Sequence, residues 1–246
     1  MIYLYGLVDA DTTTVAQALD GYQGLQAPVA VAQAGAWAIV HSAQDAEEIL
    51  PKRRLMLAHT RVVEQMLTAG PVLPARFGLV AQDLEQTCAL VAARQEDITA
   101  AFAKIRGAVE VGVRIRFPRD AALAATLAAD PALAAERDRL QSAGVEAHYA
   151  MAGFGGKLAE QLDRRRGAAQ RALLSDLVPR AADHLLRAPE DDTEVLRAEF
   201  LIAENRLAEF EAAVQAAAMA LAFAADAEPT IQIVGPVPAY NFIQLN

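Results

Sequence analysis

Residues 70–78 read Gly-Pro-Val-Leu-Pro-Ala-Arg-Phe-Gly, and residues 235–242 read Gly-Pro-Val-Pro-Ala-Tyr-Asn-Phe. Both phrases open on Gly-Pro-Val, carry a second proline and reach a phenylalanine at or near their end. Each follows the same kind of lead-in. An apolar, strand-like run comes first (residues 36–40 and 200–203), then an amphipathic, helix-like stretch (residues 55–67 and 207–221). A strand–helix–strand unit present twice predicts an α+β fold of two domains with ferredoxin-like character. The expected division is an N-terminal α+β domain over residues 1–106 and a C-terminal α+β domain over 107–246. The second contains a helical arm inserted at about 119–188. A chain of 246 residues is long enough to bury a core in each.

Outward from the first phrase, residues 2–8 are apolar on both sides of the pleat and read as a strand covered on both faces. A short helix over 12–19 takes Asp11 or Thr12 as its N-cap. Residues 29–32 and 37–41 flank Gln33-Ala34-Gly35 as a hairpin. Pro51 opens a helix to about Thr68, with Leu55, His59, Val62, Val63, Met66 and Leu67 as its apolar stripe. One longer helix is expected over 84–105, closed by Gly107.

The strand at 109–117 is the clearest in the chain. Val109, Val111, Val113, Ile115 and Phe117 face one way, against Glu110, Arg114 and Arg116. Residues 196–203 and 230–234 repeat the alternation, which predicts a sheet with one apolar and one polar face. Between them, Asp130 caps a helix whose first residue is Pro131. Residues 153–156 read as a break, and 157–186 as one long helix kinked at Pro179. Its apolar side steps mostly by four, which suits a packed arm better than a heptad coiled coil.

The N-terminal sheet has no polar face. Tyr3, Tyr5 and Leu7 oppose Ile2 and Leu4, and Trp37 and Ile39 oppose Ala36, Ala38 and Val40. Something must cover the second apolar face: the neighbouring domain, the helix at 84–105 or a partner protein.

The net charge is −9, with −2 in residues 1–117 and −7 in 118–246. Such a chain lacks the broad basic stripe of a nucleic-acid binder. Its longest low-charge run, 212–225, is too short for the ~20 residues that span a bilayer, and the first residues lack the basic start of a signal peptide. Cys88, the single cysteine, reads as a buried thiol in a reducing compartment. A cytoplasmic location is expected, without nucleic-acid or membrane partners.

No catalytic, cofactor or metal site stands out. The four histidines are scattered, and none has a metal-ligand spacing. Residues 153–157, Gly-Phe-Gly-Gly-Lys, resemble a phosphate loop but put Met151 and Leu158 where glycine and a hydroxyl are needed. Arg164-Arg165-Arg166 reads as a solvated helix face, with Glu160 supporting Arg164. Arg76 is held between Pro74 and Gly78 beside Phe77, where an arginine can clamp a carboxylate or hold a strand end by an internal ion pair.

Tyr3-Leu4-Tyr5-Gly6, His59-x-x-Val62-Val63-Glu64 and Val72-Leu73-Pro74-x-Arg76-Phe77-Gly78 together resemble the gas vesicle protein GvpL/GvpF family. Further matches are Val109-Glu110-Val111-Gly112-Val113, Glu199-Phe200-Leu201-Ile202 with Phe210, and the terminal Gly235-Pro236-x-Pro238-x-Tyr240-x-Phe242. The likeness runs along nearly the whole chain in the family's order. It departs where the family usually has tryptophan (Val237), proline (Ala239) and serine (Asn241). The resemblance implies a two-domain α+β accessory or minor structural protein of gas vesicles, not an enzyme and without cofactors. Its implied partner is the very hydrophobic major shell protein, or other accessory proteins. Expected contact residues are Tyr3, Tyr5, Trp37, Ile39, Arg76 and Phe77, with Pro74, Gly78, Gly235, Pro236, Pro238, Tyr240 and Phe242 as the motif's structural frame. The competing reading is an anion- or small-molecule-binding sensor or enzyme using an interdomain cleft near Arg76.

Overall fold

The computed structural model describes residues 1–143, 148–224 and 227–243, without the side chain of His148. The chain forms two compact units, Met1–Glu110 joined by Gly235–Asn246, and Val111–Val234. The C-terminal segment, expected with the second domain, thus groups with the first unit.

The first unit runs β1 (Ile2–Val8), α1 (Thr12–Ala18), β2 (Val29–Ala34), β3 (Trp37–Ala43), α2 (Arg53–Met66) and β4 (Val72–Pro74). Its strand order is β2-β3-β1-β4, the β-α-β-β-α-β arrangement of a ferredoxin-like layer. A short β5 (Val80–Ala81) also pairs with β1, and α3 (Leu84–Ala93) and α4 (Gln95–Ile105) follow. Asp11 caps α1 as expected, accepting from the Thr13 and Thr14 amides. The single helix expected over 84–105 is instead two, because Arg94 leaves helical geometry at φ −111°, ψ 24°.

The β1–β3 register shifts between Leu4 and Gly6. This bulge lets Tyr3, Tyr5 and Val8 enter one core, an odd step that simple alternation forbids. They pack with Val62, Val63 and Met66 of α2 and Val15 of α1. Gly6 is required at the bulge. Its φ is +150°, and a Cβ there would lie 2.4 Å from the Leu73 carbonyl oxygen. The α3–α4 pair packs against the same sheet, and Trp37 stacks on Phe102 of α4 with ring centroids 5.9 Å apart. The apolar face left open by the sequence is therefore covered within this unit.

The second unit repeats the layout. It runs β6 (Ala108–Arg116), α5 (Arg119–Ala129), α6 (Pro131–Ser142), α7 (His148–Leu177), β7 (Asp183–Leu186), β8 (Glu194–Ala203), α8 (Leu207–Met219) and β9 (Thr230–Val237), and its strand order is β7-β8-β6-β9. Val111, Val113, Ile115, Phe200 and Ile202 form the buried sheet face against Leu162 and Leu173 of α7 and Phe210 and Val214 of α8. The opposite face is polar, as its alternation predicts. Glu190 is shared by Arg114, Arg116 and Arg197 at 3.3, 2.6 and 2.8 Å, and Arg116 also reaches the fully buried Glu194 at 3.1 Å.

The helical insertion departs from expectation in three places, and its residues 144–147 lie outside the described ones. Residues 153–156 do not break the chain but lie inside α7. Phe154 there packs with Leu133 and Leu140 of α6, and this burial outweighs the roughly 1 kcal/mol that each glycine costs a helix. The helix does not continue to 186: it ends at Leu177, turns through Val178–Arg180, and the chain pairs as β7 with β8. Pro179 cannot donate to a helix, and pairing with β8 satisfies the backbone that follows. Arg165 is not a solvated face residue. It donates to Thr126 Oγ1 at 2.9 Å and to the carbonyls of Ala222 and Phe223 at 2.9 and 3.0 Å, while Arg164 pairs with Glu160 as expected.

Candidate interaction site formed by the two proline–glycine phrases

The first phrase leaves β4 and turns at Gly78, whose φ of +90° favours glycine. The Gly78 N–H donates to the Tyr3 hydroxyl at 3.2 Å, and that hydroxyl lies 2.8 Å from His59 Nδ1. A phenol that accepts from Gly78 has its proton free for Nδ1, which assigns the ring proton of neutral His59 to Nε2. Nε2 makes no hydrogen bond of acceptable geometry, although the nearby Ala75 carbonyl favours the protonated ring. Burial outweighs that help and lowers the imidazole from 6.5 to about 4. Burial also raises the Tyr3 hydroxyl to about 12, opposed by the Gly78 amide. Both groups stay neutral near pH 7, so they form a latch for the loop and not an acid–base pair. Phe77 completes it, with its ring 5.8 Å from His59 and 6.3 Å from Tyr3. Tyr5 adds a second anchor, its hydroxyl 3.2 Å from Ser42 Oγ and accepting from the Leu25 amide at 2.9 Å.

The second phrase docks on the same unit. Asn241 donates from its backbone N to Glu110 Oε2 at 2.8 Å and from Nδ2 to Oε1 at 2.5 Å. Glu110, expected on a polar face, is only 3% exposed. Lys104 Nζ donates to the Phe242 carbonyl at 3.2 Å and lies 5.8 Å from that ring's centroid. Tyr240 is 36% exposed as a whole residue, but its hydroxyl is desolvated. Burial, then Glu64, Glu110 and Tyr3, push that hydroxyl above its ordinary range. The two phrases, far apart in the chain, thus converge on Tyr3.

The expected contact residues separate into two groups. Tyr3, Tyr5, Trp37 and Ile39 are at most 4% exposed and form the unit's own core, because α2 on one face and α4 on the other already use them. They are not surface anchors as placed. Arg76 is exposed and Phe77 half-buried, and the internal ion pair expected of Arg76 is not seen among the described residues. Beside them Leu79 is 47% exposed. Pro74 pairs with Gly6 in the sheet; Gly235 and Pro236 lie within the end of β9, and Pro238 carries the chain on to Tyr240. Nothing in the residue pattern marks the roles of Glu110, Asn241 and Lys104. Glu110 stands in an alternating strand on the polar side, where burial has no sequence mark. Cys88, expected to be buried, is half-exposed with its Sγ 3.6 Å from the Gln33 carbonyl.

Among the described residues no group of three or more His, Cys, Asp or Glu side chains could hold a metal ion. A concavity of about 860 Å³ between α1 and β2 is lined by Thr12, Gln17, Asp20 and Tyr22, among others, and carries no histidine or cysteine. No helix among the described residues is long and apolar enough to cross a membrane.

A repeated ferredoxin-like α+β protein whose recurring phrases are latched loops defines the class. The chain belongs to the gas vesicle synthesis protein GvpL/GvpF family, whose profile matches residues 1–244. It is 26% identical over 243 residues to gas vesicle protein F of Streptomyces sp., covering 98% of this chain and 99% of that protein. It is 27% identical over 220 residues to gas vesicle protein F of Microcystis aeruginosa, covering 87% and 88%. The crystal structure of GvpF from Microcystis aeruginosa superposes with a TM-score of 0.75 at 26% identity, over 99% of both chains. That of GvpF from Anabaena sp. PCC7120 gives 0.83 at 24% identity, over 100% of this chain and 98% of the other, and attests the fold.

Proposed function

We propose that this chain is a gas vesicle accessory protein that binds the hydrophobic major shell protein and supports nucleation or assembly of the vesicle from the cytoplasmic side. A shell subunit that will line a gas space must not aggregate before it is placed. A soluble, acidic protein with a rigid apolar edge can cover that surface and hand the subunit over. The observation that carries the reading is the latch itself. The family motif uses the buried Tyr3 and His59 to fix the loop at Gly78, leaving Arg76 and Leu79 exposed and Phe77 half-buried, while Tyr240 of the second phrase faces the same Tyr3. A specific contact there needs only ~800 Å² from each partner, with aromatic and arginine side chains as its anchors. Other gas vesicle accessory proteins are the next candidates for the same edge.

The test is co-expression with the major shell protein, followed by affinity capture of this chain from the soluble fraction. Capture of the shell protein by the wild type, lost in an Arg76→Ala/Leu79→Ala/Tyr240→Ala variant of unchanged circular dichroism, is the expected result. A folded wild type that captures none overturns the proposal. Substituting Trp37 and Tyr5 would not serve, since both lie in the core.

A further inference from the structure

The exposed side of α2 is unlike the rest of this acidic protein. Between residues 51 and 82 the chain carries five cations, Lys52, Arg53, Arg54, Arg61 and Arg76, against one anion, Glu64. All five cations are exposed, and none pairs with an anion among the described residues. Several arginines elsewhere are matched, Arg94 to Asp97, Arg106 to Asp9, Arg116 to Glu190 and Arg180 to Asp176, and those without a pair among the described residues, such as Arg139 and Arg171, do not cluster in sequence with other unpaired cations. Evolution of a merely soluble face does not require five cations without counter-charges, since like charges close together repel.

Their placement is regular. Arg53, Leu57 and Arg61 follow one another at four-residue steps on the side of α2 opposite the buried His59, Val62 and Met66. Leu57 and Met56 are 47% and 46% exposed, and Leu50, just before the helix, is 63% exposed. The first phrase adjoins this surface: a Cβ on Gly78 would lie 3.9 Å from the Ile49 carbonyl oxygen, and Phe77 meets His59. Cations therefore alternate with exposed aliphatic side chains over α2 and the Arg76 loop. Asp45, Glu47 and Glu48 precede the patch in the chain but pair with none of its cations among the described residues.

We infer that this surface docks an acidic amphipathic segment of a partner polypeptide, one whose leucine-type side chains meet Leu50, Leu57 and Leu79 while its carboxylates meet the arginines. The inference rests on the reading that the protein works by binding other gas vesicle proteins, and it names the chemistry of one such partner. Charge complementarity selects the occupant. A nucleic acid fits poorly, because the patch offers aliphatic side chains and lacks a row of exposed aromatics on which bases could stack. A second copy of this chain fits poorly too, since its densest acidic run, residues 190–194, is engaged by Arg114, Arg116, Arg119 and Arg197.

The experiment is fluorescence anisotropy with the full chain and three labelled probes: a leucine/glutamate amphipathic helical peptide, the same peptide with glutamine for glutamate, and oligothymidylate. The glutamate peptide should bind about tenfold more tightly than the glutamine peptide and weaken with added salt. An Arg53→Gln/Arg54→Gln/Arg61→Gln variant, folded by circular dichroism and monitored for an unchanged Trp37 unfolding midpoint, should lose that advantage. Equal binding of both peptides, an unaffected variant, or tighter binding of oligothymidylate overturns the inference, as does self-association of the free chain that the same substitutions abolish. Shell-protein capture by this variant separates the two readings. Retained capture with lost peptide binding places the acidic partner elsewhere than the shell protein and supports both. Absent capture by the wild type alongside selective peptide binding overturns the proposed function and leaves the patch standing.

Discussion

Acidification should destabilise the first unit through His59. The imidazole is 3% exposed and lowered from 6.5 to about 4 by burial. In the unfolded chain it takes up a proton near pH 6.5, and in the folded unit it resists until about pH 4. Between those values the unfolded state holds more protons, so stability rises with pH. The contribution is fully present above pH 6.5, falls as the pH drops, and is gone below about 4. At about 1.4 kcal/mol per pH unit the loss comes to about 3 kcal/mol, a large share of the roughly 5–15 kcal/mol that holds a domain. His41, half-buried and also lowered by burial, acts in the same direction. Trp37 is the single tryptophan and lies in this unit, so its fluorescence during urea unfolding reports on it. With a urea slope of about 1–3 kcal/mol per molar, the midpoint should fall by about 1–3 M between pH 6.5 and 4. A His59→Gln variant keeps an acceptor for the Tyr3 hydroxyl but cannot titrate. It should be less stable at pH 7 and show a markedly shallower pH dependence. If wild type and variant lose stability in parallel as the pH falls, the assignment of this burden to His59 is refuted.

Three further outcomes follow from the packing. Gly6→Ala should cost the first unit about 2–4 kcal/mol, since the new Cβ meets the Leu73 carbonyl oxygen and φ is positive; a urea midpoint within error of wild type would show that the bulge relaxes. Asn241→Ala should weaken docking of the C-terminal segment by about 1–3 kcal/mol, because buried Glu110 loses a donor; carboxypeptidase should then trim the chain faster, and an unchanged rate would count against the clamp. Gly155→Ala and Gly156→Ala should each stabilise the second unit by about 0.5–1 kcal/mol, as both positions lie inside α7 and face open space; a lower melting temperature would mean that the segment is not helical.

The local sequence by itself determined the α+β class, the paired strand–helix–strand units, the hairpin of β2 and β3, the caps at Asp11 and Asp130, and the two-faced sheet of the second unit. Each depends on interactions within a few residues, or on the period at which apolar side chains recur. It also carried the family motif. Tertiary structure decided what those patterns could not encode. The glycines at 153–156 stay helical because Phe154 has a core to enter. The chain after Pro179 becomes a strand because β8 has an edge to fill. Tyr3, Tyr5, Trp37 and Ile39, which in sequence look equally fit for a partner or a core, are buried because α2 and α4 reach both faces of their sheet. The second proline–glycine phrase returns to the first unit because Glu110 supplies two acceptors for Asn241. In every such case the outcome turns on which distant surface lies within contact range, and a pattern of neighbours along the chain does not contain that distance.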